Sequence, residues 1–463
     1  MEITTDKSLP SPLALRATML AIVMLGLCVR LLTYEHTTTD TFTYLLPWYQ
    51  TAVTLGIDSL KLGLTNYAPF YSYLLLVAAQ FDGVLPPLLL IKAISYVFEL
   101  GSALIAYRLV STATNSVWAP VFVFSATWLA PSVLFNGALW GQADALWSFF
   151  VLLAVYLACL RRFRSACVAF SIAVSVKAQA IFLGPFVFAL VLQRKLSWLW
   201  LAAIPASYAA LAAPVLLLGR PPADVFGIYL TQAETFRDLA RNAANLWSFV
   251  PKELYWPGLL IGLAASAIVG LAFSIRLARK MPGTPTALIF AAAASLQLMP
   301  FVLPKMHERY FYPFEVLSIV LVGVDPKLTV VAVASQIIAV LSYSTFEFLE
   351  SPHLIYLVAA YLGLPLAAIL NTFLLVFMQQ RFWLDRQIVD FRMLRRALLL
   401  ASMIYVAWFL IMMFTIPTQA MWKWWPLNRS DPVGLVGYLT VLAALLYMPK
   451  YARLRTASCG RPD

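Results

Sequence analysis

The sequence concentrates its chemically useful side chains in a few short polar segments, and the densest lies at residues 305–309. It reads Lys305-Met306-His307-Glu308-Arg309 and places two cations, a histidine and a carboxylate between apolar runs. Crowded positive groups favour a phosphate, because they donate charge-assisted hydrogen bonds to it. The alternative is a lipid-headgroup anchor with an internal Glu308–Arg309 pair, which leaves His307 without a role. We expect His307, Glu308 and Arg309 to bind a phosphate.

Asp40 lies in the first polar segment, after an apolar run and before the aromatic-rich stretch 42–49. A carboxylate here could take a proton from a sugar hydroxyl as the hydroxyl oxygen attacks. The alternative is that Asp40 N-caps the helix that follows it. His36 lies four residues earlier and could share a metal ion with Asp40, but no further ligand is near, so we expect no metal site.

Two further segments add polar groups at the ends or in the middle of apolar runs. The stretch from Trp140 through Gln142 to Asp144 opens one run. These side chains could stack on a sugar and bind its hydroxyls, whereas Asp144 alone could simply stabilise a helix N-terminus. Lys177 and Gln179 lie inside another run, where a cation is costly unless it faces a cavity or a partner. We expect Lys177 to contact a phosphate.

Aromatic and charged residues elsewhere could line the same site. Tyr67 belongs to the aromatic and proline cluster 66–73, which is typical of an interfacial aromatic belt but could also form the wall of a lipid or sugar site. Loop 219–257 contains Arg241, Asn245 and Trp247. A charged run of this kind usually marks a solvated face.

The elements that position these groups are predicted to be membrane helices. The 463 residues are 62% hydrophobic and 12% charged, with a mean hydropathy of +0.81, whereas a soluble domain has about 25% charged residues. This composition excludes a disordered, fibrous or disulfide-built chain. The net charge of +12 indicates basic cytoplasmic loops rather than nucleic-acid binding. The four cysteines have no paired or metal-type spacing, so we expect neither a disulfide nor a zinc site.

Apolar runs predict an all-α polytopic membrane protein with about 11–13 transmembrane helices. The longer runs lie at 13–33, 87–110, 117–136, 141–160, 196–218, 258–278, 284–303, 327–343, 353–378, 398–417 and 433–449, and shorter ones at 67–81, 166–192 and 311–324. Because Lys177 lies at the centre of 166–192, this run is predicted to form two half-helices that rise from the cytoplasm, turn near Lys177 and return. The first run is predicted to be a retained helix rather than a signal peptide.

The charge distribution predicts the orientation of the chain. With both termini cytoplasmic, 21 Lys and Arg residues fall inside and nine outside, and Arg30, Lys92 and Lys177 fall within apolar runs. The positive-inside rule favours this arrangement. The outer face then bears loops 34–66, 137–144, 219–257, 304–310, 344–352 and 418–432, with interfacial helices. The sequence has no P-loop and no GxGxxG pattern, so we expect chemistry on the outer side without a soluble nucleotide.

From residue 14 to about 320, the order of these motifs resembles one family. It is similar to the GT-C superfamily of glycosyltransferases that use polyprenyl-phosphate sugars, and within it to the dolichyl-phosphate-glucose-dependent glucosyltransferases of asparagine-linked glycosylation. The matching positions are Asp40, Tyr67 with Pro69, Trp140 through Gln142 to Asp144, Lys177, Asn245 with Trp247, and His307 to Arg309. The departures are Ala68 for Pro, Asp144 for Asn, one extra residue before Gln179, and Arg309 for Lys, which keeps the charge.

The resemblance implies a GT-C-like fold, with a transmembrane module at 1–324 and variable C-terminal helices at 325–463. It implies that Asp40 is the general base and that Lys177 and residues 307–309 contact the donor phosphate. The remaining candidates are Gln142, Asp144 and Gln179 on the donor side, and Trp140, Tyr67, Asn245, Trp247 and Arg241 at the pocket wall or acceptor side. The implied reaction is an inverting, metal-independent transfer of a hexose from a polyprenyl-phosphate donor to a saccharide or lipid-linked acceptor, with no cofactor.

Two other functions stay open from the sequence. A flippase or transporter of a lipid-linked saccharide would also use an outer basic pocket and broken helices, although the sequence halves show no matching repeats. An O-antigen-type ligase would use an Arg-rich outer loop, and loop 219–257 offers Arg220, Arg237 and Arg241. The compact loops favour the plasma membrane of a prokaryote, with the site on the periplasmic or extracellular side.

Overall fold

The computed structural model describes residues 11–349, 354–383, 389–390 and 392–400. Within these ranges the chain is almost entirely helical. The α-helices are α1 (Pro12–Thr33), α2 (Leu46–Leu55), α3 (Pro69–Ala79), α4 (Pro87–Ala113), α5 (Trp118–Trp128), α6 (Pro131–Val133), α7 (Asp144–Cys159), α8 (Phe163–Val176), α9 (Gly184–Leu192), α10 (Ala203–Leu217), α11 (Pro222–Phe226), α12 (Ile228–Glu234), α13 (Tyr255–Lys280), α14 (Pro285–Val302), α15 (Tyr312–Val324), α16 (Thr329–Leu349) and α17 (Leu354–Trp383). Residues 392–400 are also helical.

Shorter elements join these helices. Thr41–Leu45 and Leu134–Trp140 form π-helical turns, and 3-10 turns lie at Gly56–Leu60, Ala178–Leu183, Trp198–Ala202, Leu246–Phe249, Lys252–Leu254, Glu308–Phe311 and Pro326–Leu328. The strands are β1 (Ala240–Arg241) and β2 (Met306–His307), which pair in parallel. This pair attaches the long loop 219–257 to the basic segment 304–310.

The described residues form a polytopic membrane protein. They include eight helical segments long and apolar enough to cross a bilayer, and four shorter apolar helices that correspond to α3, α7, α8 and the segment containing α9. The predicted run 433–449 lies outside the described residues, and of 398–417 only residues 398–400 are described. The all-α class and the membrane environment are therefore confirmed.

The core of the bundle consists of α4, α7, α14, α15 and α16, whose inner faces are lined with buried apolar side chains. The first span and the span containing α10 are mostly exposed, while those of α14 and α16 are mostly buried. An exposed apolar helix suits contact with lipid, since lipid tails are as apolar as the helix surface. The polar site described below is surrounded by the buried helices.

The predicted break at Lys177 is confirmed. Helix α8 ends at Val176, Lys177 is extended with φ −154° and ψ 128°, and a 3-10 turn begins at Ala178. The end of α9 lies beside the end of α13, because Gln193 donates to the carbonyls of Ala278 in α13 and of Met281 just after it. The start of α8 lies at the same end, because Arg161, just before α8, is near Lys195, just after α9. Burial and the neighbouring Arg161 also lower the pKa of Lys195 at that end. The two helices therefore leave and return to one end, with Lys177 at the turn.

Candidate functional site

Asp144 is the centre of a buried polar cluster. It is the first residue of α7 and its side chain is fully buried. Its Oδ1 accepts from Lys177 Nζ at 2.5 Å and from Trp147 Nε1 at 3.0 Å. Its Oδ2 accepts from Asn136 Nδ2 at 3.2 Å and lies 3.3 Å from Arg309 Nε. One carboxylate therefore neutralises charge from two separate segments of the chain.

Lys177, which we expect to contact a phosphate, also has a protein partner that the sequence did not predict. Asp144 is its counter-ion, and aromatic rings complete its surroundings, since Nζ lies 5.4 Å from the ring centroids of both Tyr67 and Tyr310. A cation that faces aromatic rings gains electrostatic stabilisation from their π-faces. The lysine is therefore a compensated buried charge at the helix break, close to two phenol groups.

Arg309 connects the cluster to the basic segment. Its Nη1 donates to Glu308 Oε1 at 2.7 Å, and its guanidinium carbon lies 5.2 Å from the ring centroid of Trp140. Glu308 Oε2 and Arg309 Nε are buried and have no hydrogen-bond partner among the described residues. Buried polar atoms without partners are rare and call for an explanation such as a bound ligand or water. The cluster therefore retains one acceptor, Glu308 Oε2, for a further group, whereas Arg309 Nε lies 3.3 Å from Asp144 Oδ2 in an ion pair without hydrogen-bond geometry.

Asp40 stands on the other side of Trp140. Its Oδ2 accepts from Trp140 Nε1 at 2.9 Å and from Gln142 Nε2 at 2.7 Å. Asp40 precedes the π-helical turn at Thr41, but its side chain makes no capping hydrogen bond. The capping interpretation is therefore wrong. Among the described residues Oδ1 accepts no hydrogen bond, so one carboxylate oxygen is held and the other is available.

Lys92, which the sequence left unassigned, positions the Asp40 segment. Its buried Nζ donates to the carbonyls of His36, Ala138 and Leu139 at 2.7, 2.9 and 2.7 Å. These bonds join the first loop to the turn that presents Trp140. A lysine in the middle of an apolar run was a signal that could have found this role.

Gly141 allows the chain to turn between Trp140 and α7. It adopts φ +78°, and a Cβ there would meet the side chains of Leu45 and Lys92. Glycine is the residue that tolerates both the left-handed conformation and the close approach. Ser95 fixes the next residue by donating to the carbonyl of Gln142 at 2.7 Å. The two donors to Asp40 are thus held by backbone geometry on either side of this glycine.

Burial and nearby positive charges favour the neutral form of the His307 imidazole. Burial, followed by the positive charges of Arg309 and Arg241, holds the pKa of His307 well below its ordinary value of 6.5. The ring packs against Phe236 and Tyr310, with centroids 5.6 and 5.1 Å away. A neutral imidazole offers one donor and one acceptor, so His307 is suited to a hydrogen bond rather than to a charge contact.

Burial lowers the pKa of His307 but raises the pKa of two acidic groups near Arg309, the Glu308 carboxyl and the Tyr67 phenol. It raises the pKa of Glu308, although Arg309 offsets part of that rise. Burial also raises the pKa of Tyr67 to about 12, and the guanidinium of Arg309 again opposes the rise. Tyr67 is therefore a phenol, with a hydroxyl proton to donate, at any physiological pH.

Loop 219–257 contributes three further candidates. Asn245 and Trp247 stabilise the fold, and Arg241 lies at the edge of the cluster. Asn245 is buried; its side chain accepts from the backbone of Trp247 and donates to the carbonyls of Pro300 and Leu303. Trp247 donates to the carbonyl of Val302 at 2.8 Å. These bonds anchor the loop to the end of α14, so we assign both residues a structural role in place of the expected pocket role.

Arg241 and Gln179 lie nearer the polar cluster. Arg241 stacks on Phe236 at 3.8 Å and lies 3.5 Å from Asp238, and its backbone pairs with that of His307. Gln179 follows Lys177 in the 3-10 turn, and its Oε1 is buried with no hydrogen-bond partner among the described residues. The structure thus brings Asp40, Trp140, Gln142, Asp144, Lys177, Tyr67 and residues 307–309 into one contiguous site.

Sequence reasoning missed Asn136 and Trp147, which complete the shell of Asp144. Asn136 ends one apolar run and Trp147 lies inside the next, and neither residue type gave a signal there. Among the described residues, no group of three His, Cys, Asp or Glu side chains is arranged to hold a metal ion.

Comparison with known proteins does not assign the chain to a family. No family model matches the sequence, and no curated protein matches it significantly.

Proposed function

We propose that the chain is a membrane glycosyltransferase of the GT-C type, which moves a hexose from a polyprenyl-phosphate donor to an acceptor hydroxyl. The observation that carries this proposal is the Asp40 carboxylate. One of its oxygens is held by Trp140 and Gln142 while the other has no partner among the described residues. Trp140 also contacts Arg309, so a base lies at the Nε1 edge of one indole ring and a group of phosphate ligands begins over the same ring.

The base and the phosphate ligands suit the two parts of a displacement reaction, which are deprotonation of the acceptor and departure of the phosphate. The donor phosphate would lie at Arg309 and Lys177, with hydrogen bonds from Tyr67 and neutral His307. The acceptor hydroxyl would give its proton to Asp40 as its oxygen attacks the anomeric carbon. The bond from that carbon to the phosphate oxygen breaks, and the electron pair leaves with the phosphate, where fixed positive groups stabilise the developing charge.

A lipid donor fits the surroundings of this site. The cluster lies among apolar helices, and in this proposal a polyprenyl chain enters between them from the bilayer while its phosphate meets the buried cations. By the positive-inside rule, the distribution of Lys and Arg favours a position of this end of the bundle outside the cytoplasm. We therefore assign the reaction to the periplasmic or extracellular face of the plasma membrane, with a saccharide or lipid-linked acceptor.

A flippase for a lipid-linked saccharide is the second candidate. The observation that favours it is the pair α8 and α9, which is broken at Lys177. Transporters bind substrates at such interrupted helices. A flippase would need the same cations but would have no use for a carboxylate held with one free oxygen.

Transfer and translocation can be separated in one reconstituted system. Purified protein in vesicles is incubated with a panel of polyprenyl-phosphate hexoses and lipid-linked acceptors, and products are identified by mass spectrometry. In parallel, movement of labelled donor lipid between leaflets is measured. A product that is one hexose heavier than its acceptor supports the proposal. Lipid movement without any transfer product would replace it with the flippase.

A further inference from the structure

The two cations of the cluster are already neutralised. Asp144 is the counter-ion of both Lys177 and Arg309, and Glu308 is a second counter-ion of Arg309. These four side chains carry no net charge when ionised, and their exposed fractions are at most 13%. A phosphate that arrives at Arg309 therefore meets a guanidinium that two carboxylates already hold. This inference rests on the proposed function, in which that phosphate belongs to the donor.

The two carboxylates are held unequally. Asp144 has three further donors besides Arg309, namely Lys177, Trp147 and Asn136. Glu308 has one hydrogen bond, from Arg309 Nη1, and its Oε2 has none among the described residues. His307 Nδ1 lies 4.0 Å from Oε1, beyond hydrogen-bond distance. If Arg309 turns to a ligand, Asp144 keeps its partners and Glu308 loses its only strong one.

We propose that Glu308 is an exchangeable counter-ion of Arg309: an incoming phosphodiester takes the guanidinium from it, and the released carboxylate binds one proton from solvent at Oε2. The guanidinium offers this ligand Nη1 after exchange, while Nε stays 3.3 Å from Asp144 Oδ2. The exchange keeps the total charge of the buried site unchanged, because one anion enters and one anion is neutralised. Glu308 is thus a positioning residue that acts through Arg309.

The proton uptake follows from the cost of buried charge. A buried carboxylate without a partner is strongly disfavoured and neutralises instead. Burial already raises the pKa of Glu308 while Arg309 opposes that rise, so loss of Arg309 raises it further. The titratable or charged groups around Glu308 are Arg309, His307, Lys177, Tyr310 and Asp40. His307 is neutral and Asp40 is acidic, so of this set only Lys177 would favour the ionised form after the exchange.

Proton uptake can be measured on the wild-type protein by calorimetry. The probe is methyl farnesyl phosphate, a phosphodiester whose single charge does not titrate near neutral pH. Binding is measured in buffers of different ionisation enthalpy, which gives the number of protons taken up per ligand. We expect a value approaching about one proton for the full-length protein in detergent. Infrared difference spectra should show a new protonated-carboxyl band on binding.

Glu308→Gln tests the assignment to this residue. The variant should bind the probe with uptake near zero, without the carboxyl band, and with an affinity that no longer falls as the pH rises. Glu234→Gln removes an exposed carboxylate on α12 and should behave as wild type. Binding to the wild type without proton uptake would overturn this inference alone. Failure of the wild type to bind the probe would overturn both the inference and the phosphate site of the proposed function.

Discussion

Single carboxylates compensate buried positive charge at two places inside the bundle. Asp144 holds Lys177 and Arg309, and Glu99 accepts from Arg30 Nε and Nη2 at 2.9 and 2.7 Å. The side chains of Glu99 and Arg30 are fully buried. Removing one partner of a buried pair leaves an uncompensated charge, whereas removing both is tolerated better. This asymmetry gives a test of the cluster that is independent of activity.

Asp144→Asn should destabilise the protein by about 3–5 kcal/mol, because Asp144 is the only counter-ion within hydrogen-bond distance of Lys177 among the described residues. The double variant Asp144→Asn with Lys177→Met should recover a large part of that loss, since it removes the buried cation together with the anion. Unfolding free energies in mixed detergent and SDS micelles, compared in a double-mutant cycle, measure the coupling. Strictly additive losses would show that the two side chains do not interact.

The neutral state of His307 makes stability depend on pH. Burial and nearby cations hold its pKa below 6.5 in the folded protein. The unfolded chain therefore takes up a proton that the folded protein rejects, and stability is lost as the pH falls below that value. The loss should reach about 1.4 kcal/mol per pH unit. Thermal unfolding of His307→Gln and wild type from neutral to acidic pH should show a smaller acid loss in the variant; equal slopes would contradict a neutral His307.

Sequence analysis found the residue types of this site because charge is scarce in the chain. Asp40, Lys177 and Arg309 stood out in polar breaks between apolar runs. The partners could not be predicted, since Asp144 and Lys177 are 33 residues apart and Trp140 and Asp40 are 100 apart. Such contacts depend on how the helices pack, which a single sequence does not encode as a local pattern.

Two secondary-structure features shape the site. One is the helix break at Lys177, and the other is the attachment of loop 219–257 to the end of α14 through Asn245. The break at Lys177 was predictable because a cation in a continuous span is costly. The anchor was not, because Asn245 reaches Pro300 across 55 residues. Its motif suggested a pocket role, whereas its hydrogen bonds show that it caps the Leu246–Phe249 turn and fixes the end of α14.

Asn245→Ala should therefore lower stability without weakening ligand binding. Loss of its bonds to Trp247, Pro300 and Leu303 leaves buried backbone groups without partners, at a cost of about 1–3 kcal/mol. Thermal unfolding measures the first effect, and affinity for methyl farnesyl phosphate below the unfolding temperature measures the second. Ser248→Ala, a change within the same cap, should give a smaller loss of the same kind. A large fall in affinity at unchanged stability would return Asn245 to the ligand site.

The whole molecule has two ends of different character. Arg162 is exposed just before the start of α8, and Arg194 is exposed just after the end of α9. Both lie at the end of the bundle opposite the turn that holds Lys177. Lys61 and Lys252 lie in the loops of the other end, with side chains 48% and 85% exposed. The positive-inside rule predicts that the first pair faces the cytoplasm.

Cysteine labelling tests this arrangement. In a background without Cys28, Cys159, Cys167 and Cys459, we expect Lys61→Cys and Lys252→Cys to react with a membrane-impermeant maleimide in intact cells. Arg162→Cys and Arg194→Cys should react only after permeabilisation. Labelling of Arg162→Cys and Arg194→Cys from opposite sides would contradict the returning pair α8 and α9. Inverted labelling at all four positions would reverse the proposed orientation.

The most direct test of the proposed function is hexose transfer by Asp40→Asn under single-turnover conditions. The variant keeps the shape of the side chain and can still bind Trp140, but it cannot accept the acceptor proton. We predict that transfer falls by about 10²–10⁴-fold while donor binding stays unchanged. Asp58→Asn, which alters an exposed carboxylate in the same loop, should transfer at the wild-type rate. Full transfer by folded Asp40→Asn would contradict the assignment of Asp40 as the base.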